Sequence, residues 1–307
     1  MKTHKIAQDL ISVVVVLITG IMLFAPSTPV IPKLQDGTFI QNLIDSTDKV
    51  ILEPGEYMLN DSLTLKSNMV LLGSGNTVLT FVNDINPTSL QQSMLYGKNL
   101  VNVTIENLIL DGNKENQHGG LQYGIWFENV NFSTIKDNLI SNFKGNAISI
   151  YHSNNNVVEK NRTVNNAYNG IHIQSSNYNI AKDNVCTFGR YGIEIGYSHS
   201  HGNILENNEC NYNREFGIEL WYSVDNIVRS NVCNNNKIAG IYMGLCCERN
   251  LIEHNKLFGN GKWGIHIRYS MHNILVHNSG QLVWISGYTP EYSQNDIKSN
   301  TFVGKRA

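Results

Sequence analysis

Glu194 and Glu219 stand 25 residues apart, and each follows a Gly-Ile pair, in Gly192-Ile193-Glu194-Ile195 and Gly217-Ile218-Glu219-Leu220. Two carboxyl groups in equivalent places can serve as acid and base, or as acid and nucleophile, at a glycosidic bond. His172 in Gly170-Ile171-His172-Ile173 and His266 in Gly264-Ile265-His266-Ile267 occupy the same place, as do Trp126, Ser149 and Tyr242. Two residues further on come Glu128, Tyr151, Gln174, Gly196, Trp221, Gly244 and Arg268. A merely solvated face would show Ser, Thr, Lys and Asn. This set concentrates rings, which stack on the apolar faces of sugars, and groups that bond hydroxyls and acids.

The element that positions these residues is a repeat. Gly124-Ile125, Ala147-Ile148, Gly170-Ile171, Gly192-Ile193, Gly217-Ile218, Gly240-Ile241 and Gly264-Ile265 recur at 22–25 residue steps. A short β-strand at that period is a solenoid signature, and a solenoid stacks equivalent positions into columns. Strand alternation turns the isoleucines inward and the intervening residues outward. The same register adds Trp284 and Ser286 from Val283-Trp284-Ile285. Glu194 and Glu219 are then neighbours with Cα atoms about one strand spacing, ~4.8 Å, apart. Carboxyl groups about 5–5.5 Å apart suit a retaining glycosidase, and like charges that close push one pKa up. The candidate catalytic residues are Glu194, Glu219 and His172. The candidate carbohydrate-binding residues are Trp126, Tyr151, Gln174, Trp221, Tyr242, His266, Arg268 and Trp284. An elimination or epimerisation would instead use His172, Tyr197, His199 and Arg268. The ordinary structural explanation is that outward rings raise strand propensity and pack on a loop.

Each repeat also carries Asn-apolar-apolar segments (Asn156, Asn179, Asn203, Asn226, Asn250, Asn273) and a further Asn (Asn161, Asn184, Asn208, Asn231, Asn255, Asn278). These read as corners, where Asn tolerates left-handed backbone and can bond the amide above and below. Three short strands per coil follow. Glu159, Lys182, Glu206, Arg229 and Glu253 form an alternating charge column on a solvated face. Cys186, Cys210 and Cys233 share an inward column, as small hydrophobes filling a tight corner; a disulfide between two of them is geometrically conceivable in an oxidising compartment. Without a Cys-x-x-Cys pair, structural zinc is not indicated.

With its Gly-Ile-x-Ile and Asn-x-Ile-x-x-Asn repeats, the chain resembles the pectate-lyase-like superfamily over roughly residues 50–303. Val50-Ile51-Leu52-Glu53-Pro54-Gly55, Val70-Leu71-Leu72-Gly73 and Leu108-Ile109-Leu110-Asp111-Gly112-Asn113 are similar to the first coils of such proteins. The resemblance extends to carbohydrate-binding and sugar-hydrolase β-helices and to periplasmic copper-binding ones. It implies an all-β fold: a single-stranded right-handed parallel β-helix solenoid with three short strands per coil. The superfamily holds lyases, hydrolases, epimerases, copper-maturation proteins and plain surface proteins, so it does not fix an activity. Polygalacturonase-type aspartate clusters and pectate-lyase-type calcium aspartates have no counterpart in the column. Tyr191-Gly192-Ile193-Glu194-Ile195-Gly196-Tyr197-Ser198-His199 lacks the Pro and both Asp of the alginate-epimerase segment. A copper reading would draw on His172, His199, His201, His266 or Met243.

The chain has 307 residues, 41% hydrophobic and 16% charged, with net charge −2. That supports one large core, and no basic cluster argues for nucleic acid. Lys2, His4 and Lys5 precede an uncharged run from Leu10 to Ala25, the pattern of a secretory leader or an uncleaved membrane anchor. Residues 1–27 are read as that leader, 28–49 as a linker with an amphipathic capping helix around Phe39-Ile40 and Leu43-Ile44, and 50–303 as the β-helix. The expectation is an exported protein that binds an acidic polysaccharide or cell-surface glycan along the outward strand face, with hydrolase, lyase or epimerase chemistry left open. A membrane partner follows if the leader is uncleaved, and no metal or cofactor is assigned. The alternatives are a non-catalytic adhesion solenoid and a copper-maturation protein. Protease added to intact cells is expected to digest the β-helix; full protection that vanishes on lysis would refute export.

Overall fold

Each Gly-Ile-x-Ile segment is too short to hold itself together and must find its partners on the coils before and after it. The computed structural model describes residues 37–85, 91–287 and 294–303, with the backbone alone at Gln91, Ser198 and His199. The leader lies outside the described residues. Within them the segments form a ten-stranded sheet running from Leu63–Thr64 to Val283–Ser286. Its strands pair in parallel with unbroken register from Ile125 through Ile148, Ile171, Ile193, Ile218 and Ile241 to Ile265. All seven isoleucines are fully buried. The second and third segments of each coil build a fifteen-stranded sheet and a three-stranded one that close the solenoid around this stack.

Between the sheets, the asparagines form two long amide ladders. One runs Asn156, Asn179, Asn203, Asn226, Asn250, Asn273, with each side-chain amide donating to the next at 3.0–3.1 Å. The other runs from Asn138 to Asn278. Each Oδ1 also accepts the backbone N–H of the preceding ladder residue, and each Nδ2 also donates to a carbonyl. Every donor and acceptor of these buried amides is thereby matched, as a dry interior demands.

The geometric reason expected for Asn at these corners is different from the one observed. The ladder residues have ordinary negative φ; the left-handed residue is the one before each. Asn155, Tyr178, Gly202, Asp225, Arg249 and His272 fill that place on one ladder. Lys160, Asp183, Asn207, Ser230, His254 and His277 fill it on the other. Asn is required by its four hydrogen bonds, and the bend itself is imposed on whatever residue precedes it.

The glycines of the repeat answer a close approach. A Cβ at Gly192 would lie 2.7 Å from the Cβ of Cys210 and 2.5 Å from the Gly217 carbonyl oxygen, and Gly217 meets Cys233 in the same way. The buried cysteine column therefore lies against the glycine column, and only small side chains fit. All five cysteines are free thiols. Outside, the charge column pairs as Lys182–Glu159 and Arg229–Glu206, both at 2.9 Å.

At the first coil, the helix Gly37–Ser46 buries Ile40 and Ile44 over the end of the core. Gln41 fastens it, accepting the Thr64 N–H at 2.8 Å and donating to the Thr64 carbonyl at 3.1 Å. Phe39 faces outward.

Asn208→Ala removes all four side-chain bonds and orphans the buried Asn184 N–H and Ala181 carbonyl. At about 1–3 kcal/mol for each orphaned group, the loss is expected to be about 2–6 kcal/mol. Lys182→Ala, which breaks an exposed pair, should cost about 0–1 kcal/mol. Denaturant midpoints of the two variants check both values, and equal effects would refute the ladder's role.

Candidate functional site

The column predicted from the repeat exists in the register expected. Trp126, Ser149, His172, Glu194, Glu219, Tyr242, His266 and Trp284 are strand partners in that order. Its surroundings differ from a simple outward face. Glu194, Glu219, Tyr242 and His266 are only 8%, 5%, 5% and 8% exposed. A second column, three residues earlier in each repeat, covers them: Tyr123, Asn146, Asn169, Tyr191, Phe216, Ala239 and Trp263. Tyr191 stacks on Phe216 at 5.4 Å, and Phe216 on Tyr242 at 4.5 Å.

Between the two columns lies a cleft of about 590 Å³. It brings together seven of the sequence candidates: Trp126, His172, Gln174, Glu194, Tyr197, Glu219 and Trp221. Tyr151, Tyr242, His266, Arg268 and Trp284 lie outside its lining. Tyr151 lies at a tilt near Trp126, with ring centroids 6.1 Å apart. His266 packs against both Trp263 and Trp284, at 4.6 and 4.4 Å, and shares a 3.0 Å hydrogen bond with Ser286. Burial first, then Arg268 and Lys262, push its pKa down to about 4, so it is uncharged at neutral pH. The cleft also takes in Tyr123, Asn146, Tyr168, Asn169, Arg190 and Tyr191, which the sequence reading did not assign. All six precede the Gly-Ile pair or its equivalent by one or two residues, so the same period could have found them.

The polar groups are wired together. The Asn146 Oδ1 accepts the Asn169 N–H at 3.0 Å, which fixes its amide orientation. Its Nδ2 therefore faces His172 Nδ1 at 3.2 Å as the donor. Neutral His172 then carries its own proton on Nε2, which points at Glu194 Oε2, 3.5 Å away. The Asn169 side-chain amide donates to the same Glu194 oxygen. Asn169 Oδ1 and His172 Nε2 are buried and lack a hydrogen-bond partner, an unusual cost for polar atoms in a dry interior.

Glu219 is the most perturbed acid. Burial first, and the neighbouring Glu194 charge second, raise its pKa from 4.5 to about 8. Arg190 opposes this only in part, because its Nε donates to Glu215 at 2.9 Å and its guanidinium lies 4.8 Å over the Tyr191 ring. Burial and the two glutamates also raise the Tyr197 hydroxyl. The arrangement supplies a protonated acid beside a second carboxyl group, with rings at both ends.

Among the described residues no three His, Cys, Asp or Glu side chains gather as a metal ligand set. Met243 is wholly in the core, and His172 and His266 are engaged as above. The His199 side chain lies outside the described residues.

Comparison with known proteins adds a family and a set of folds. No curated protein matches the chain by sequence. A family described as periplasmic copper-binding protein (NosD) matches residues 42–180. Among solved structures, the A-module of a mannuronan C-5 epimerase from Azotobacter vinelandii aligns at 17% identity and TM-score 0.59, covering 89% of this chain and 97% of that one. The Streptococcus pneumoniae surface adhesin PfbA aligns at 14% identity and TM-score 0.64, over 83% and 84%. A tailspike of the Escherichia coli bacteriophage HK620, solved with a pentasaccharide, aligns at 13% and 0.65, over 91% and 64%. At these identities the likeness is one of fold. A right-handed β-helix region profile matches residues 123–280, more than half of the sequence and the whole stretch that builds the cleft, and the chain belongs to that family.

Proposed function

We propose that the cleft binds a polysaccharide and hydrolyses a glycosidic bond, outside the cytoplasm. The observation that carries this reading is Glu219, buried, protonated at neutral pH and adjacent in register to Glu194. Glu219 donates its proton to the leaving oxygen as the bond breaks. Glu194, oriented by Asn169 and His172, activates water or attacks the sugar directly. Trp126 and Trp221 provide ring faces, and Gln174 and the Tyr197 hydroxyl, which also line the cleft, provide polar contacts for hydroxyls. Support for a glycan comes from the folds above, whose members include a polysaccharide epimerase and a pentasaccharide-binding tailspike. The extracytoplasmic placement draws on the leader-like N-terminus and on the periplasmic family matched.

An acidic sugar fits less well than the sequence suggests. The cations expected to neutralise it were Arg268 and His266, and neither lines the cleft. Arg190, which does, is turned to Glu215. A glycan without carboxylates is the better match. Elimination or epimerisation with His172 as base is also disfavoured, since Nδ1 accepts from Asn146 and Nε2 already holds a proton.

Glu219→Gln and Glu194→Gln are each expected to reduce hydrolysis by about 10²–10⁴-fold with binding retained. Wild-type activity should fall as pH rises through about 8. Reducing-sugar release measures both. A product absorbing in the ultraviolet would mark elimination and refute hydrolysis.

Glu219 also governs stability. Its folded pKa exceeds its ordinary value, so the folded state holds a proton that the unfolded state loses. Stability should therefore fall as pH rises from about 4.5 to about 8 and level off above. Glu219→Gln should remove that slope and raise the thermal midpoint at alkaline pH by roughly a few kcal/mol of stability. An unchanged pH profile would show that Glu219 ionises freely.

A further inference from the structure

The acidic pair is not central in the cleft. The lining spans five coils, from Trp126 to Glu219, and Glu194 and Glu219 belong to the last two of them. On the Trp126 side, about four strand spacings, ~19 Å, of lined surface lead up to Glu219. Beyond Glu219 the face is filled. Trp221 lies down over Gly244, where a Cβ would come within 2.5 Å of its ring, and its ring centroid is 6.2 Å from that of Tyr242. Tyr242 is stacked on Phe216 and contacts His266 at 5.0 Å. His266 continues into the Trp263 and Trp284 stack, whose rings are 4.4 Å apart. The coils that would carry a through-going groove are occupied by their own aromatic side chains. No residue of those coils lines the cleft among the described residues. The volume of about 590 Å³ also suits a short ligand rather than a polymer passing through.

We propose that this cleft takes the end of an uncharged glycan chain, with binding positions on the Trp126 side of the acidic pair and a wall of aromatic residues on the other. The inference rests on the glycan-binding reading above and specifies its substrate as a chain terminus. A glycan chain enters from the Trp126 end, and its terminal unit meets Trp221 beside Glu219 and Glu194. Cleavage then removes a terminal unit instead of cutting mid-chain.

The test is binding to wild-type protein, read by tryptophan fluorescence, to which Trp126 and Trp221 in the cleft contribute. The probes are neutral glucans, mannans, xylans and galactans. Each is offered as an oligosaccharide series, as the polymer, and as the polymer carrying a bulky group on its reducing end, its non-reducing end or both. Affinity counted per chain end should stop rising at roughly four units, one per strand spacing. Blocking one particular end should weaken binding at least tenfold. A doubly blocked polymer that binds as well as the free one, or affinity per chain end that keeps growing with length, overturns the terminal reading and leaves glycan binding intact. If no linear glycan binds at all, the proposed function itself fails, and this inference with it.

Discussion

A buried side-chain amide has two donors and two acceptor positions, and leaving them unmatched in a dry interior costs more than a well-made bond returns. In this solenoid half of them are matched by backbone groups and the other half by the same amide one coil above and one coil below. That condition repeats from Asn138 to Asn278 and from Asn156 to Asn273. It forbids a slip of one residue between coils, because a slip would break a whole row of amides and turn the isoleucine stack outward at once. The cleft inherits its ruler from this lock. Glu194 can neighbour Glu219, and Asn146 can reach His172, only because their coils are held in register from the far side of the core.

The cleft itself is assembled from groups that the fold would not choose for stability. A carboxyl group held protonated by burial, an imidazole nitrogen and an amide oxygen without partners are local costs. They persist because the isoleucine and amide columns beneath them are fully satisfied and do not yield. Two of the five buried side-chain atoms without a partner among the described residues, together with the raised pKa of Glu219, fall in this one cleft, and that coincidence is what makes it the candidate site.

Much of this was legible before any coordinates. The spacing of the Gly-Ile pairs gave the columns, and Trp126, His172, Glu194 and Glu219 do share one. A period, however, tells which residues are stacked and not which way long side chains lean. Tyr191 and Phe216 fold over the column and bury Glu219, a matter of packing between two columns. Tyr242 and His266 had the composition of a sugar platform but are buried against Phe216, Trp263 and one another, while Trp284 stays exposed beside them and outside the cleft. The corner asparagines were expected both to bend and to bond; they bond as expected, and the bend falls on the residue before each, because sequence alone does not separate the two roles.

The separation of bending from bonding at the corners has its own consequence. The left-handed places hold Tyr178, Arg249, His254, Asp183 and Ser230 with the same backbone φ of about +53° to +57°. Such a bend disfavours any non-glycine residue by roughly 1–2 kcal/mol, and here that strain is absorbed by the neighbouring amide row whatever the side chain is. The chemical identity of these outward sites is therefore uncoupled from folding. They form two rows of interchangeable positions at a fixed pitch, a keyboard on which charge, ring or hydroxyl can be rewritten coil by coil while the core keeps its shape.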